Sequence, residues 1–135
     1  MPSRYLLDTN IASYFLRARN PQLNRRISSF PKRALAISVL TEAELLFGLE
    51  RVPEATKLRH LVASFLSGVT ILPWESRAAV SYATIRATTQ RAGRPIATID
   101  LLIAAHALSL GATLVTNDQA LRDIPGLICE DWTRS

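Results

Sequence analysis

The chain has 135 residues, the usual size of one domain, and a formal net charge of +5 at pH 7. Its single cysteine, Cys129, excludes an internal disulfide framework and a cysteine-based zinc cluster. The longest apolar run, residues 101–110, is too short to cross a bilayer, and we find no export signal, so we expect a cytoplasmic protein without a membrane span.

Along the chain, short apolar runs alternate with longer amphipathic segments, which is the pattern of an α/β fold. The runs are continuously apolar, as in strands that helices cover on both faces, so we expect a central, mainly parallel sheet of about five short strands. The predicted strands are residues 5–7, 35–38, 69–72, 113–116 and, most weakly, 127–129. Helices are predicted to begin after Asp8, at Pro21 after Asn20, at Pro53, and at the caps Ser76 and Thr98, with ends at Gly68 and Gly111.

Most of the positive charge comes from arginine, because only Lys32 and Lys57 among the 16 basic residues are lysines. A guanidinium group presents a planar fork of donors that matches phosphate oxygens, which an ammonium group cannot do. The bias favours a polyanionic partner such as a nucleic acid, and a basic solubilising surface explains it equally well. Composition alone leaves both explanations open.

Four acidic residues lie beside the predicted strand ends and helix starts, namely Asp8, Glu44, Asp100 and Asp118. Residues just past the carboxyl ends of parallel strands share one crevice, so side chains distant in sequence can meet there. Carboxylates without histidine or cysteine would form an all-oxygen site for Mg²⁺ or Mn²⁺. Ringed by basic surface, such a site is what a metal-dependent nuclease needs to act on a polyanion.

Each aspartate also has a simpler structural explanation. Asp8 or its neighbour Thr9 can cap the helix that follows the first strand. Asp100 lies in the first turn of a helix, where the helix dipole favours a carboxylate whether or not a metal binds. Asp118 forms a turn-favouring pair with Asn117. None of the three identifies a metal site by itself.

The glutamate is ambiguous for another reason, because Glu42 lies close to Glu44 in the same predicted helix. Their side chains point about 200° apart around the helix axis, so only one of them can face a given site. Thr41 and Glu44 also have the spacing of a capping box, in which Glu44 would bond to the Thr41 backbone. Periodicity leaves these alternatives open.

Five stretches, in this order, resemble the PIN-domain ribonucleases and most resemble the VapC-type toxins of bacterial toxin–antitoxin pairs. They are LLDTN (6–10), ISVLTEAELLFGLER (37–51), GRPIATIDLLIAAHAL (93–108), ATLVTND (112–118) and PGLICEDW (125–132). The resemblance implies a single PIN domain over residues 1–135 with a PIN-like fold. It also implies a ribonuclease that needs Mg²⁺ or Mn²⁺, hydrolyses phosphodiester bonds in RNA, and inhibits translation and growth when no antitoxin is bound.

The resemblance further implies roles for the matched residues. Asp8 falls in the DTN motif, Glu44 falls in the E-L-x-x-G motif, and Asp100 opens the D-x-x-I-A-A-x-A helix. Asp118 matches a more variable acidic position after a T-N pair. These four are expected to be catalytic metal ligands, which leaves Glu42 as a bystander. The expected supporting residues are Thr9, Asn10 and Thr116.

Partners are implied by the same resemblance. We expect a cognate VapB-type antitoxin that blocks the crevice and contacts an apolar surface on the first few helices, and we expect a homodimer. The candidates for RNA backbone contacts are Arg25, Arg26, Arg86, Arg91 and Arg94, with solvated helix faces as the alternative explanation.

Two other functions remain as alternatives. A receiver-like phosphoacceptor domain also binds Mg²⁺ with clustered aspartates, but it needs a lysine at a late strand end, and neither Lys32 nor Lys57 lies there. A catalytically silent RNA-binding PIN module normally lacks one of the acidic positions, whereas all of them are present in this chain.

Overall fold

The computed structural model describes residues 4–134. Its strands are β1 (Tyr5–Leu7), β2 (Leu35–Ser38), β3 (Thr70–Leu72), β4 (Thr113–Val115) and β5 (Cys129–Glu130). Its helices are α1 (Thr9–Leu16), α2 (Pro21–Ser28), α3 (Val39–Arg51), α4 (Thr56–Gly68), α5 (Ser76–Arg91) and α6 (Thr98–Leu110). Short 3-10 helices lie at Lys32–Ala34 and Gln119–Asp123. Within the described residues, no helix is long and apolar enough to span a membrane.

The strands form one sheet in the order β3-β2-β1-β4-β5, and every neighbouring pair is parallel. Because successive side chains on a strand point to opposite faces, Leu6 and Leu114 pack against α5 and α6, while Leu7, Ile37 and Val115 pack against α1 and α2. The predicted α/β fold, with a parallel sheet covered by helices on both faces, is confirmed.

The strand order reverses at β1, which pairs with β2 on one side and with β4 on the other. In parallel sheets, ligands bind in the crevice outside the carboxyl ends of the strands at such a reversal. Asp8 directly follows β1 and Thr116 directly follows β4. The Asp8 N–H donates to the Val115 carbonyl over 3.1 Å, so the pairing continues past the strand ends and sets Asp8 beside Thr116.

Several predicted boundaries are correct. β1 and β2 occupy the predicted residues. The Asn20 side chain accepts the Leu23 N–H over 2.9 Å at the start of α2, as expected of a cap. Gly111 ends α6 with a φ of +65°, a conformation that glycine adopts without the penalty of a Cβ atom.

Other boundaries are wrong by a few residues. α4 begins at Thr56 and not at Pro53. Residues 52–55 form a turn before the helix, in which the Ala55 N–H donates to the Val52 carbonyl over 3.0 Å. The last strand is displaced from 127–129 to Cys129–Glu130, because the Leu127 N–H donates to the Ile124 carbonyl and not to the sheet. β3 starts one residue later than predicted and β4 ends one residue earlier.

The caps predicted for α5 and α6 are also wrong. Ser76 and Thr98 lie inside the first turns of these helices. The cap positions are Glu75 and Ala97, and neither makes a side-chain hydrogen bond to its helix. The hydroxyl residues therefore marked each helix start to within one residue, although they do not bond to the free N–H groups there.

Candidate metal-binding active site

Asp8 is a helix cap and a buried acid at the same time. Its Oδ1 accepts the Ile11 N–H over 2.8 Å at the start of α1, so the simpler structural explanation is correct. The side chain is only 4% exposed. Burial, together with the smaller effect of the Asp100 and Asp118 charges, raises the pKa of Asp8 from 3.8 to about 6, against the lowering effect of hydrogen bonds from Thr116 and Ile11.

Asp100 lies in the first turn of α6 and is half-buried. Its pKa is raised, first by burial and then by the negative charges of Asp118 and Glu44. The four predicted acidic residues thus act on one another at the crevice. Glu42 is not among the groups that shift the pKa of Asp8 or of Asp100.

The start of α3 decides between the explanations for Glu44. Ser38 is the cap, its Oγ accepting the Leu40 N–H over 3.1 Å, so Thr41 lies inside the helix and cannot form a capping box with Glu44. Thr41 is buried, and its Oγ1 lies 3.1 Å from the Thr9 Oγ1. This hydroxyl pair joins the first turn of α1 to the first turn of α3.

Asp118 also has both a structural and an electrostatic role. Its Oδ1 accepts the Ala120 N–H over 3.0 Å and so caps the 3-10 helix Gln119–Asp123. Its own N–H donates to the Thr116 Oγ1 over 3.0 Å, while the Thr116 hydroxyl bonds to the Asp8 carboxylate. Through these two contacts the fully buried Thr116 side chain connects the two aspartates.

The donor set of this crevice fits a hard divalent cation. None of the ion pairs among residues 4–134 involves Asp8, Glu44, Asp100 or Asp118, so no protein cation compensates them there. Within the same residues, no three acidic, histidine or cysteine side chains lie close enough to enclose an ion directly. Mg²⁺ keeps several of its waters and needs only one or two carboxylates as direct ligands, so the wider spacing suits an ion held partly through water.

Three of the predicted RNA-binding arginines make contacts within the protein. The Arg26 guanidinium lies 5.1 Å from the Trp132 ring and 3.6 Å from the Glu130 carboxylate. Arg94 forms an ion pair with Asp123. Arg86 donates to the Tyr82 hydroxyl over 3.0 Å. Arg25 and Arg91 are exposed, and RNA contact by any of the five stays a prediction.

Sequence reasoning missed several buried polar residues beside the crevice. Ser38 and Thr41 are fully buried and His106 is 1% exposed, yet none was predicted to support the site. One signal was available for Ser38, because it ends β2 in the same way that Asp8 follows β1. Asn10, which was predicted to support the site, is exposed in the first turn of α1.

Comparison with known proteins identifies the family. The PIN domain family model matches residues 5–127. The tRNA(fMet)-specific endonuclease VapC of Salmonella typhimurium is 32% identical over 130 residues, covering 96% of this chain and 98% of that protein. A DNA-bound VapBC structure from the same organism matches with a TM-score of 0.88 at 30% identity and covers 96% of this chain and 98% of its own.

VapBC-5 of Mycobacterium tuberculosis, a member of the VapBC family of toxin–antitoxin systems, matches with a TM-score of 0.71 at 26% identity and covers 95% of this chain and 98% of its own. The chain therefore belongs to the PIN-domain family, and its relatives there are VapC proteins. The resemblance found in the sequence is confirmed. The receiver-like alternative is wrong, because the match to the PIN domain runs from residue 5 to residue 127 and so includes β1 to β4 and all six helices.

The raised pKa of Asp8 predicts a pH-dependent stability for the metal-free protein. The folded state holds this proton up to pH about 6, whereas the unfolded chain releases it near 3.8. The stabilisation is therefore complete below pH 3.8 and is lost as the pH rises through about 6, with a total on the order of 3 kcal/mol. Asp8→Asn keeps a cap oxygen for Ile11 and removes the titration.

Urea unfolding of metal-free wild type and Asp8→Asn between pH 4 and pH 8 measures this effect. We expect the free energy of unfolding of the wild type to fall with rising pH relative to that of the variant. The raised pKa of Asp100 acts in the same direction and remains in both proteins. Parallel pH profiles for the two proteins would show that the Asp8 carboxyl is not the group that titrates.

Proposed function

We propose that this chain is a ribonuclease that requires Mg²⁺ or Mn²⁺ and acts as the toxin of a toxin–antitoxin pair, with a single PIN domain over residues 1–135. The observation that carries the proposal is the mutual electrostatic effect of Asp8, Glu44, Asp100 and Asp118 at the strand-order reversal. The relatives support the reaction class, since they include a tRNA-specific endonuclease and proteins named as ribonucleases. A cytoplasmic location follows from an RNA substrate.

Asp8, Glu44 and Asp100 would hold the ion directly or through water, and Asp118 would be a further ligand or would hold a second ion. When bound, the ion supplies charge neutralisation at the scissile phosphate and a water of lowered pKa for in-line attack. The protein's part is to orient the donors. Asp8 is held by the Ile11 N–H and the Thr116 hydroxyl, so its carboxylate is fixed before the substrate arrives.

The supporting residues extend this orientation. Thr9 bonds to Thr41 and so connects α1, which Asp8 caps, to α3, which carries Glu44. Thr116 relates Asp8 to Asp118. Asn10 is exposed beside these residues, where a substrate could contact it.

Single substitutions test the assignment of the ligands. We expect Asp8→Ala, Glu44→Ala and Asp100→Ala each to lower RNA cleavage by roughly two orders of magnitude or more, because misplacing a reacting group costs about that much. EDTA should abolish wild-type cleavage, and added Mn²⁺ should restore it. Cleavage is measured on total RNA with purified protein.

Glu42→Ala is the matched control, because it removes the same charge from the same helix on the opposite side. We expect it to cleave RNA like the wild type. Full activity in Glu44→Ala with loss in Glu42→Ala would show that the wrong glutamate was chosen. A wild type that cleaves equally well in EDTA would sink the metal-dependent mechanism, and a wild type inert with Mn²⁺ would favour the silent RNA-binding module.

The antitoxin is proposed to bind an apolar groove between α1, α2 and α4. The groove has a volume of about 500 Å³, and its lining includes Phe15, Ile27, Leu61 and Phe65. Leu61 is 41% exposed although it lies in this apolar setting. The similar VapBC structures and the predicted contact surface on the first few helices both favour a VapB-type antitoxin as the occupant.

Leu61→Arg tests this surface, because it places an uncompensated charge in the groove without touching the crevice. We expect the variant to keep its RNA cleavage and to lose co-purification with the cognate VapB-type antitoxin, so that cells expressing both proteins stop growing. Val80→Arg, at a 70% exposed apolar residue of α5, is the control. Retention of the antitoxin by Leu61→Arg would place the contact elsewhere.

We also propose that the chain forms a homodimer through the outer face of α3. Leu46 is 46% exposed and Phe47 is 58% exposed there. Adjacent large apolar side chains on a surface can mark a contact with another protein chain. Phe47→Glu is expected to halve the mass measured by light scattering at micromolar concentration. A wild-type mass of one chain would contradict the proposal.

A further inference from the structure

The buried polar residues of this protein are gathered at one edge of the sheet. The buried polar or charged residues among 4–134 are Asp8, Ser38, Thr41, Thr89, His106 and Thr116. All except Thr89 end a strand, follow one at its carboxyl end, or bond to a residue that does. Burying polar groups costs free energy unless they bond to one another, so this concentration indicates a connected network beneath the crevice.

One bond in this network joins two helices that carry acidic residues of the crevice. The Ser38 Oγ lies 2.9 Å from the His106 Nδ1, and both side chains are buried. Ser38 caps α3, which carries Glu44, and His106 lies on α6, which carries Asp100. Ser38 also ends β2, whose register with β1 sets it beside Asp8.

Ser38 bonds to two partners. The Ser38 Oγ accepts the Leu40 N–H over 3.1 Å and bonds to the His106 Nδ1 as well, donating its own hydrogen or accepting the imidazole proton according to the tautomer. The other ring nitrogen, Nε2, is buried without a hydrogen-bond partner. Burial lowers the pKa of His106 against the opposing effects of the Pro73 carbonyl and Glu75, so the ring is neutral at pH 7.

An apolar pair at these positions would avoid the cost of burying a serine and a histidine. A bond between two buried polar groups is directional, however, and it favours one arrangement of the helices that carry them. The bond between Ser38 and His106 connects the start of α3 to the middle of α6. It therefore affects the distance between Glu44 on α3 and Asp100 on α6.

We propose that Ser38 and His106 are positioning residues that set α3 against α6 and so hold Glu44 and Asp100 at the spacing a divalent ion needs. The inference rests on the proposed metal-dependent function. Neither residue touches the ion or the substrate. They act through the helices, as the outer partners of metal ligands do in other sites.

Mn²⁺ binding to the purified chain tests the proposal by a measurement other than RNA cleavage. Free Mn²⁺ is measured by electron paramagnetic resonance in a titration of each protein. We expect Ser38→Ala and His106→Leu each to weaken Mn²⁺ binding by roughly tenfold. The double variant should be little worse than either single one, because both changes remove the same bond.

Two further variants separate positioning from general stability. His106→Asn can present either its amide oxygen or its amide NH2 group to the Ser38 hydroxyl in place of Nδ1, so we expect it to recover most of the Mn²⁺ affinity. Thr89→Ala removes a buried hydroxyl from α5, where it donates to the Arg86 carbonyl over 3.1 Å. It should lower the melting temperature and leave Mn²⁺ affinity unchanged.

Wild-type Mn²⁺ affinity in Ser38→Ala and His106→Leu, with only a lower melting temperature, would overturn the positioning role while leaving the metal-dependent function intact. A wild type that binds no Mn²⁺ would overturn both. If His106→Leu does not fold, Ser38→Ala and His106→Asn carry the test, since the first hardly changes the side-chain volume and the second keeps a polar group facing Ser38.

Discussion

The buried carboxylate of Asp8 is the constraint on which the rest of the site depends. A negative charge in a buried position costs free energy unless donors or a cation compensate it. The Ile11 N–H and the Thr116 hydroxyl supply part of that compensation, yet the pKa of Asp8 still rises to about 6 because burial outweighs them. At neutral pH the metal-free protein therefore carries an electrostatic penalty at the end of its central strand, and a divalent ion is the group that would remove it.

The topology of the fold gathers the acidic residues at one edge of the sheet, and hydroxyl groups orient their carboxylates. The reversal of strand order at β1 sets Asp8 beside Thr116, and helices α3 and α6 bring Glu44 and Asp100 to the same edge. Hydroxyls can orient a carboxylate without neutralising it, whereas a lysine or arginine in the same place would compete with the ion. The site is thus built to hold negative charge in place while leaving it available.

The sequence predicted those parts that depend on local chemistry. Continuous apolar runs marked the five strands, and the acidic residues at strand ends and helix starts marked the crevice that the structure brings together. Periodicity could not exclude a capping box between Thr41 and Glu44, because that depends on Ser38 being the cap of α3. The bond between Ser38 and His106 spans 68 residues of sequence, so no local pattern could have paired them.

The ion pairs outside the crevice complete the electrostatic design. Arg26 pairs with Glu130, Arg94 pairs with Asp123 and Arg134 pairs with Asp131, whereas no ion pair among residues 4–134 involves an acidic residue of the crevice. With a net charge of +5, the surface as a whole attracts a polyanion, but the uncompensated crevice repels the phosphate that would have to enter it. A divalent ion would weaken that repulsion, because it neutralises part of the carboxylate charge and presents positive charge to the phosphate directly. Metal binding would therefore favour substrate entry through charge alone, in addition to any role of the ion in the cleavage step.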